Sequence, residues 1–443
     1  MDKNRFTARS AAYRSLMLCE RDKKYSNLEI DSAIRRFRLE GAEKGLYTAL
    51  VYGVIERRIT LDHIIGKLSS KPVESLDAEV MTLLRLGLYQ MIYLDRIPDS
   101  AAVNETVNLS KQNVPRAASF INAVLRGFLR TADKDKLFCP DMGDRRHYLS
   151  VRYSCGMDVL DVLMGSFVDA EPILAAFSEH SDVTLRVNTL KTDRDELLAQ
   201  LAGKGIAAEA TQYSPYGVKL TKKTISSEIS ELLSRGYVYI QDEASQIASI
   251  AADPKPETVL IDTCACPGGK SFSAAILMEN RGEVKSFDLH KNKLSLIESG
   301  AKRLGIDIIT TTEKNGSVTD ASLLDCADTV ICDVPCSGLG VIAKKPEIRY
   351  KSRAEIDRLP EIQYSILETA AKYVKRGGVL CYSTCTLNKA ENESVVQRFL
   401  EYTDEYVPED FSVGGISSEG GMLTLLPQIH GTDGFFIAKL RRK

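Results

Sequence analysis

Two cysteines sit in short polar turns of this sequence, each at the end of an apolar run. One is in Asp333-Val334-Pro335-Cys336-Ser337-Gly338, the other in Tyr382-Ser383-Thr384-Cys385. An activated thiol is a covalent catalyst, and one chemistry suits thiols at strand ends beside an acid. Carbon 5 of a cytosine is a poor nucleophile because its ring is aromatic. A thiolate adding at carbon 6 breaks that aromaticity and makes carbon 5 enamine-like, able to take a methyl group from a sulfonium. A base then removes the carbon 5 proton, and elimination frees the cysteine. Asp333, three residues before Cys336, is an acid that can hold the cytosine N3 edge protonated and make carbon 6 more electrophilic. The base must be unstacked or flipped to reach such a site. Residue types alone leave open which thiol attacks. Either cysteine taken singly reads as a small buried hydrophobe, and Cys332 and Cys381, inside apolar runs, are expected to be that. No C-x-x-C spacing occurs near them, and His63, His147, His180, His290 and His430 are isolated. No metal site is therefore expected.

A third stretch supplies the donor. Ile261-Asp262-Thr263-Cys264-Ala265-Cys266-Pro267-Gly268-Gly269-Lys270-Ser271 follows the apolar run 258–261 and precedes an amphipathic segment. That order predicts strand, glycine turn and helix, with a backbone that a ligand can approach closely. A phosphate loop would need Gly at position 264, which is Cys264. The dinucleotide fingerprint also fails, because the turn is Pro267-Gly268-Gly269-Lys270. Asp288 lies 20 positions beyond Gly268, where a ribose-binding acid sits in such folds. A cofactor with ribose and adenine but no phosphate is S-adenosylmethionine, and it is also a sulfonium.

The elements that must position these groups follow from periodicity. Strands are predicted at 258–263, 283–288, 306–311, 328–333 and 379–384, with a further strand at 434–440 and helices between, such as 292–304 and 356–374. This is the pattern of a mainly parallel, doubly wound sheet, whose ligands bind beyond the carboxyl ends of the strands. Those ends carry Cys266 to Lys270, then Asp288, Asn315 with Gly316, Asp333 to Cys336, and Thr384 with Cys385.

Residues 1–130 read as all-helical, with apolar residues at helical spacing over 46–68, 78–94 and 117–129 and an N-cap at Asp99 for a helix over 101–111. Residues 131–145 are expected to be a linker, 146–250 a small α/β region with strands at 183–188 and 237–240, and 251–443 the catalytic domain. Residues 1–130 hold 21 Lys/Arg and 15 Asp/Glu, so this third carries +6 while the chain's total of −2 leaves −8 for the remainder. A basic third suggests a polyanionic partner. Arg186, Asn188 and Lys191 are candidates for phosphate-backbone contact. The composition, 44% hydrophobic and 27% charged, is that of a globular protein, and no apolar run approaches the roughly 20 residues of a membrane span. Residues 1–5 are followed by no signal-like segment. A cytoplasmic protein with free rather than disulfide-paired cysteines is expected.

These motifs resemble those of the RNA 5-methylcytosine methyltransferases of the Sun/NOL/NOP2 type. The likeness continues through Gln241-Asp242-Glu243-Ala244-Ser245 and His430-Gly431-Thr432-Asp433-Gly434-Phe435-Phe436. The helical N-terminus resembles the NusB antitermination fold, through Ile97-Pro98 to Asn104-Glu105 and Phe120-Ile121-Asn122-Ala123-Val124-Leu125-Arg126. Together they resemble bacterial 16S rRNA cytosine-C5 methyltransferases. The resemblance implies an all-α NusB-like domain, a small α/β RNA-binding region and a Rossmann-like class I methyltransferase domain. It implies that Cys385 is the nucleophile, that Cys336 helps release the product, and that Asp333 acts beside them. It further implies that Cys264, Ala265, Cys266, Pro267, Gly268, Gly269, Lys270, Asp288, Asn315 and Asp333 line the S-adenosylmethionine site. The family commonly has Asp where this chain has Asn315, whose amide oxygen can still accept from the adenine amino group. It often has a Trp in the middle region, and this chain contains none. Lys344, Lys345, Arg349, Lys351 and Arg353 are expected to form an RNA-facing basic loop. The implied partner is 16S rRNA or a small-subunit assembly intermediate, with no membrane and a monomeric enzyme. The alternatives are a tRNA cytosine-C5 methyltransferase and a NusB-like RNA-binding regulator with weak or lost catalysis.

Overall fold

The helical spacing of the first third becomes a series of packed helices in the computed structural model, which describes residues 6–22, 26–138, 140, 143–179, 182–221 and 225–443. Residues 1–5, Cys139 and His180 lie outside the described residues. The helices Ala8–Asp22, Ser26–Phe37, Gly41–Glu56, Arg58–Leu68, Ala78–Tyr93, Asp99–Asn113 and Ala118–Arg130 share one core. It includes Leu50, Leu61, Ile64, Leu83, Leu84, Leu88, Ile121 and Leu125. Asp99 is the first residue of its helix, not its cap; Pro98 precedes it. The carboxylate thus sits in the first turn, where the helix dipole favours it. Residues 131–145 contain a helical turn, Asp135–Phe138, because Leu137 has an apolar core to enter.

The chain divides into two compact units, residues 1–174 with 344–352 and residues 175–343 with 353–443. In the first, the short 3-10 turn Pro346–Tyr350 packs with helical residues far away in sequence. Glu347 accepts from the amide (3.2 Å) and hydroxyl (3.0 Å) of Ser26. The Tyr350 hydroxyl donates to the Ile55 carbonyl at 2.6 Å. Arg349 is fully buried and donates to the Tyr153 carbonyl at 2.9 Å. Arg349 therefore does not face RNA: it fills the interior of a packed turn, while Lys344 and Lys345 stay on the surface.

In the second unit, strands β1 (Val183–Val187), β2 (Ala208–Ala210), β3 (Gly217–Leu220) and β4 (Val238–Ile240) form an antiparallel sheet in the order β2-β3-β1-β4. Of the three polar residues expected to touch phosphates, two donate to carbonyls within this unit and the third is enclosed. Arg186 is fully buried with its guanidinium 4.7 Å from the centre of the Tyr216 ring. Buried Asn188 donates to the carbonyls of Gly236 and Leu304, and the Lys191 ammonium donates to those of Arg235 and Arg303. Each satisfies, or is shielded by, groups that periodicity cannot reveal.

The main sheet contains β5 (Thr258–Asp262), β6 (Gly282–Asp288), β7 (Ile309–Glu313), β8 (Ala327–Asp333), β9 (Val374–Thr384) and β10 (Tyr406–Pro408). After a small hairpin of β11 (Ser412–Val413) and β12 (Ile416–Ser417), it is completed by β13 (Met422–Leu425) and β14 (Phe435–Arg442). Its order is β10-β14-β9-β8-β5-β6-β7, with β13 also on β14. Strands β5 to β9 run parallel, and β14 joins β9 antiparallel. The strand order reverses between β5 and β8. A doubly wound sheet opens its ligand crevice at that switch point, and the two flanking strands end at Asp262 and Asp333.

Candidate active site

The turn after β5 is shaped by one glycine. Gly268 has φ +110°, and a Cβ there would lie 2.4 Å from the Phe272 ring, so no side chain fits. The helix Gly269–Leu277 starts at once. Its Ser271 hydroxyl donates to Asp262 Oδ2 at 2.7 Å, and the Cys264 amide donates to Asp262 Oδ1 at 3.4 Å. Asp262 is fully buried, and burial pushes its pKa up to about 6 against the pull of the Ser271 hydroxyl bond. Asp288, at the end of β6, accepts from the Cys266 amide at 3.3 Å and the His290 amide at 2.9 Å. That acid thus ties the second strand end to the glycine turn. Asn315, beyond β7, is exposed and accepts from the Ser317 amide at 3.0 Å.

These groups fit S-adenosylmethionine. An acid and an exposed amide suit ribose hydroxyls and an adenine amino group. The one cation of the turn is not free for a phosphate: Lys270 Nζ lies 2.7 Å from Asp333 Oδ2 and 3.2 Å from Ser245 Oγ. The Ser383 hydroxyl donates to the other oxygen, Asp333 Oδ1, at 2.8 Å. Asp333 is thereby held both from the helix that follows β5 and from strand β9. The Lys270 ammonium also lies 5.0 Å from the centre of the Phe435 ring.

The turns after β8 and β9 bring Cys336 Sγ to 3.1 Å from Cys385 Sγ. Both residues are partly exposed, whereas Cys332 and Cys381 are buried. The bond to Cys385, with burial behind it, holds the Cys336 thiol well above its ordinary range. Burial, against the pull of Lys439 and Lys270, pushes Cys381 up to about 12, which suits an inert core thiol.

Sequence reasoning missed the polar frame around the thiols. The Gly340 amide donates to the Cys385 carbonyl at 3.0 Å, and the Ser337 and Thr386 hydroxyls are 2.7 Å apart. Buried Glu391 and Gln363 also belong to it. The one sequence signal was the polar run from Asn388 to Ser394, indistinguishable from a solvated loop. Among the described residues, no three or more His, Cys, Asp or Glu are grouped to hold a metal ion. Among them too, no helix is long and apolar enough to cross a membrane.

Comparison with known proteins adds three family matches: the NusB family over residues 7–130, the RsmF/B-like ferredoxin-like domain over 168–226, and 16S rRNA methyltransferase RsmB/F over 249–441. The "Probable ribosomal RNA small subunit methyltransferase B" of Bacillus subtilis (strain 168) is 38% identical, covering 99% of each chain. The "Ribosomal RNA small subunit methyltransferase B" of Pseudomonas putida (strain KT2440) is 31% identical over 91% of each. Among solved structures, the crystal structure of PH0851 matches with a TM-score of 0.81 at 26% identity, covering 98% of each chain.

Proposed function

Since the chain belongs to the RsmB/F family of S-adenosylmethionine-dependent rRNA methyltransferases, we propose that it methylates carbon 5 of a cytosine in 16S rRNA through a covalent bond from Cys385 to carbon 6. The 3.1 Å approach of the two thiols carries this reading. A second thiol serves no purpose in a direct methyl transfer. It does serve one where an adduct must be resolved.

Bound S-adenosylmethionine supplies the electrophilic methyl group. The protein's residues do the rest. The two thiols are hydrogen-bonded to each other, so Cys336 stands beside the attacking group, and the attacking role goes to Cys385 as in the enzymes whose motifs this chain resembles. Asp333, fixed by Lys270 and Ser383, holds the N3 edge of the flipped base. After methyl transfer, a base takes the carbon 5 proton. The electrons of that C–H bond re-form the ring double bond and expel the Cys385 thiolate. We assign the release step to Cys336. Cys264 to Lys270, Asp288 and Asn315 form the cofactor site in this reading. The NusB-like and ferredoxin-like regions guide the RNA.

The test is a pair of variants incubated with 16S rRNA transcript and S-adenosylmethionine. Cys385→Ala should abolish both methylation and any RNA-linked protein on a denaturing gel. Cys336→Ala should accumulate that linked species. Full activity in Cys385→Ala would overturn the mechanism. Bisulfite sequencing of 16S rRNA from a deletion strain should show one cytosine losing its protection.

A further inference from the structure

Glu391 is buried six residues after Cys385, and among the described residues it forms no ion pair. It is fully enclosed, and its carboxylate is satisfied by three neutral N–H donors. Oε2 accepts from the Ser337 amide at 2.8 Å and from Gln363 Nε2 at 2.9 Å, and Oε1 accepts from Asn388 Nδ2 at 2.9 Å. Its backbone carbonyl accepts from the Tyr382 hydroxyl at 2.6 Å. Burying a carboxylate without a counter-charge is costly, so its position needs a reason beyond packing.

The donors supply that reason. Ser337 directly follows Cys336. Gln363, which Glu391 orients, donates also to the carbonyl of Pro335, directly before Cys336, at 3.0 Å. Asn388 and Tyr382 belong to the segment around Cys385. Resting on the covalent mechanism above, we propose that Glu391 is a positioning residue for release of the RNA adduct, clamping the Cys336 turn onto the Cys385 segment so that the two thiols stay in register.

The clamp acts unequally on the two cysteines. Cys385 stands at the end of β9, a strand paired on both sides. Cys336 sits in a turn whose flanking peptide groups are held by Glu391 and Gln363. Loosening the clamp should therefore free Cys336 and leave Cys385 in place. A glutamine at 391 must aim its own NH₂ group at one of the existing donors, so Glu391→Gln breaks the frame with almost no change of volume.

The experiment uses the full-length enzyme with 16S rRNA transcript and times both formation and decay of the RNA-linked species. Glu391→Gln should form the adduct at near the wild-type rate and resolve it about tenfold more slowly or worse, as a displacement of about 1 Å can do. Gln363→Met, which removes one brace only, should show a smaller delay in the same step. In a Cys336→Ala background, Glu391→Gln should slow decay no further, since both changes act on one step. Equal loss of formation and decay in both variants would mark a merely structural residue and overturn the proposal, as would wild-type decay. If Cys336→Ala itself accumulates no adduct, the covalent mechanism falls and takes this proposal with it. If it does accumulate adduct while Glu391→Gln and Gln363→Met do not, only the role of Glu391 falls.

Discussion

Replacing Asp262 by Asn separates the stability of the sheet from the shape of the cofactor turn. Burial lifts the folded-state pKa of Asp262 to about 6 from an ordinary 3.8. The folded protein therefore prefers the protonated carboxyl. Above pH 6 the group is ionised in the folded and unfolded chains alike, and a shift of about two units costs roughly 3 kcal/mol of stability. Below the ordinary value it is protonated in both states and the cost is gone. The contribution of this site thus improves as pH falls from about 6 to about 4. Asparagine never ionises. Its weaker acceptance from Ser271 gives back about 1 kcal/mol, so Asp262→Asn should be about 2 kcal/mol more stable at pH 8 and no more stable than wild type at pH 4. Urea unfolding followed by circular dichroism across that range measures the difference. A difference that does not change with pH, or a variant less stable at pH 8, would refute the reasoning. The variant should also bind S-adenosylmethionine more weakly by calorimetry, because the carboxylate holds both Cys264 and Ser271 in the glycine turn.

Asn315→Asp should tighten S-adenosylmethionine binding by about 1 kcal/mol, or roughly fivefold, since a carboxylate accepts more strongly than an amide; calorimetry with the two proteins side by side decides it. Arg349→Ala should destabilise the helical unit by about 3 kcal/mol, because it opens a void and strips the Tyr153 carbonyl of its donor. Lys345→Ala, at an exposed position, should leave the melting temperature unchanged. Melting both variants checks this, and equal melting temperatures would return Arg349 to the surface.

The centre of the parallel sheet was legible because β5 and β8 are mainly apolar runs followed by polar turns, whereas β7, Ile309–Glu313, carries a single apolar residue and lies three residues beyond the start of the expected 306–311. The tail strand was legible too, but not its antiparallel pairing beside β9, which depends on the path of the chain between them. Asn188 and Lys191 show the limit of charge as a guide. Both are polar and follow a strand, as RNA-binding residues would, yet their donors go to carbonyls of the same unit.

What the sequence determined by itself is the set of reactive groups at the strand ends. An apolar run, a glycine turn and two Cys turns are local patterns, and their chemistry follows from residue type. What only the tertiary structure decided is which polar groups are enclosed and which thiol stands against which. Arg349 meets its acceptor 196 positions away, and Cys336 meets Cys385 across 49. Burial and hydrogen-bond partnership are properties of neighbours in space. A charge in the sequence looks the same whether water, RNA or a buried carbonyl will face it.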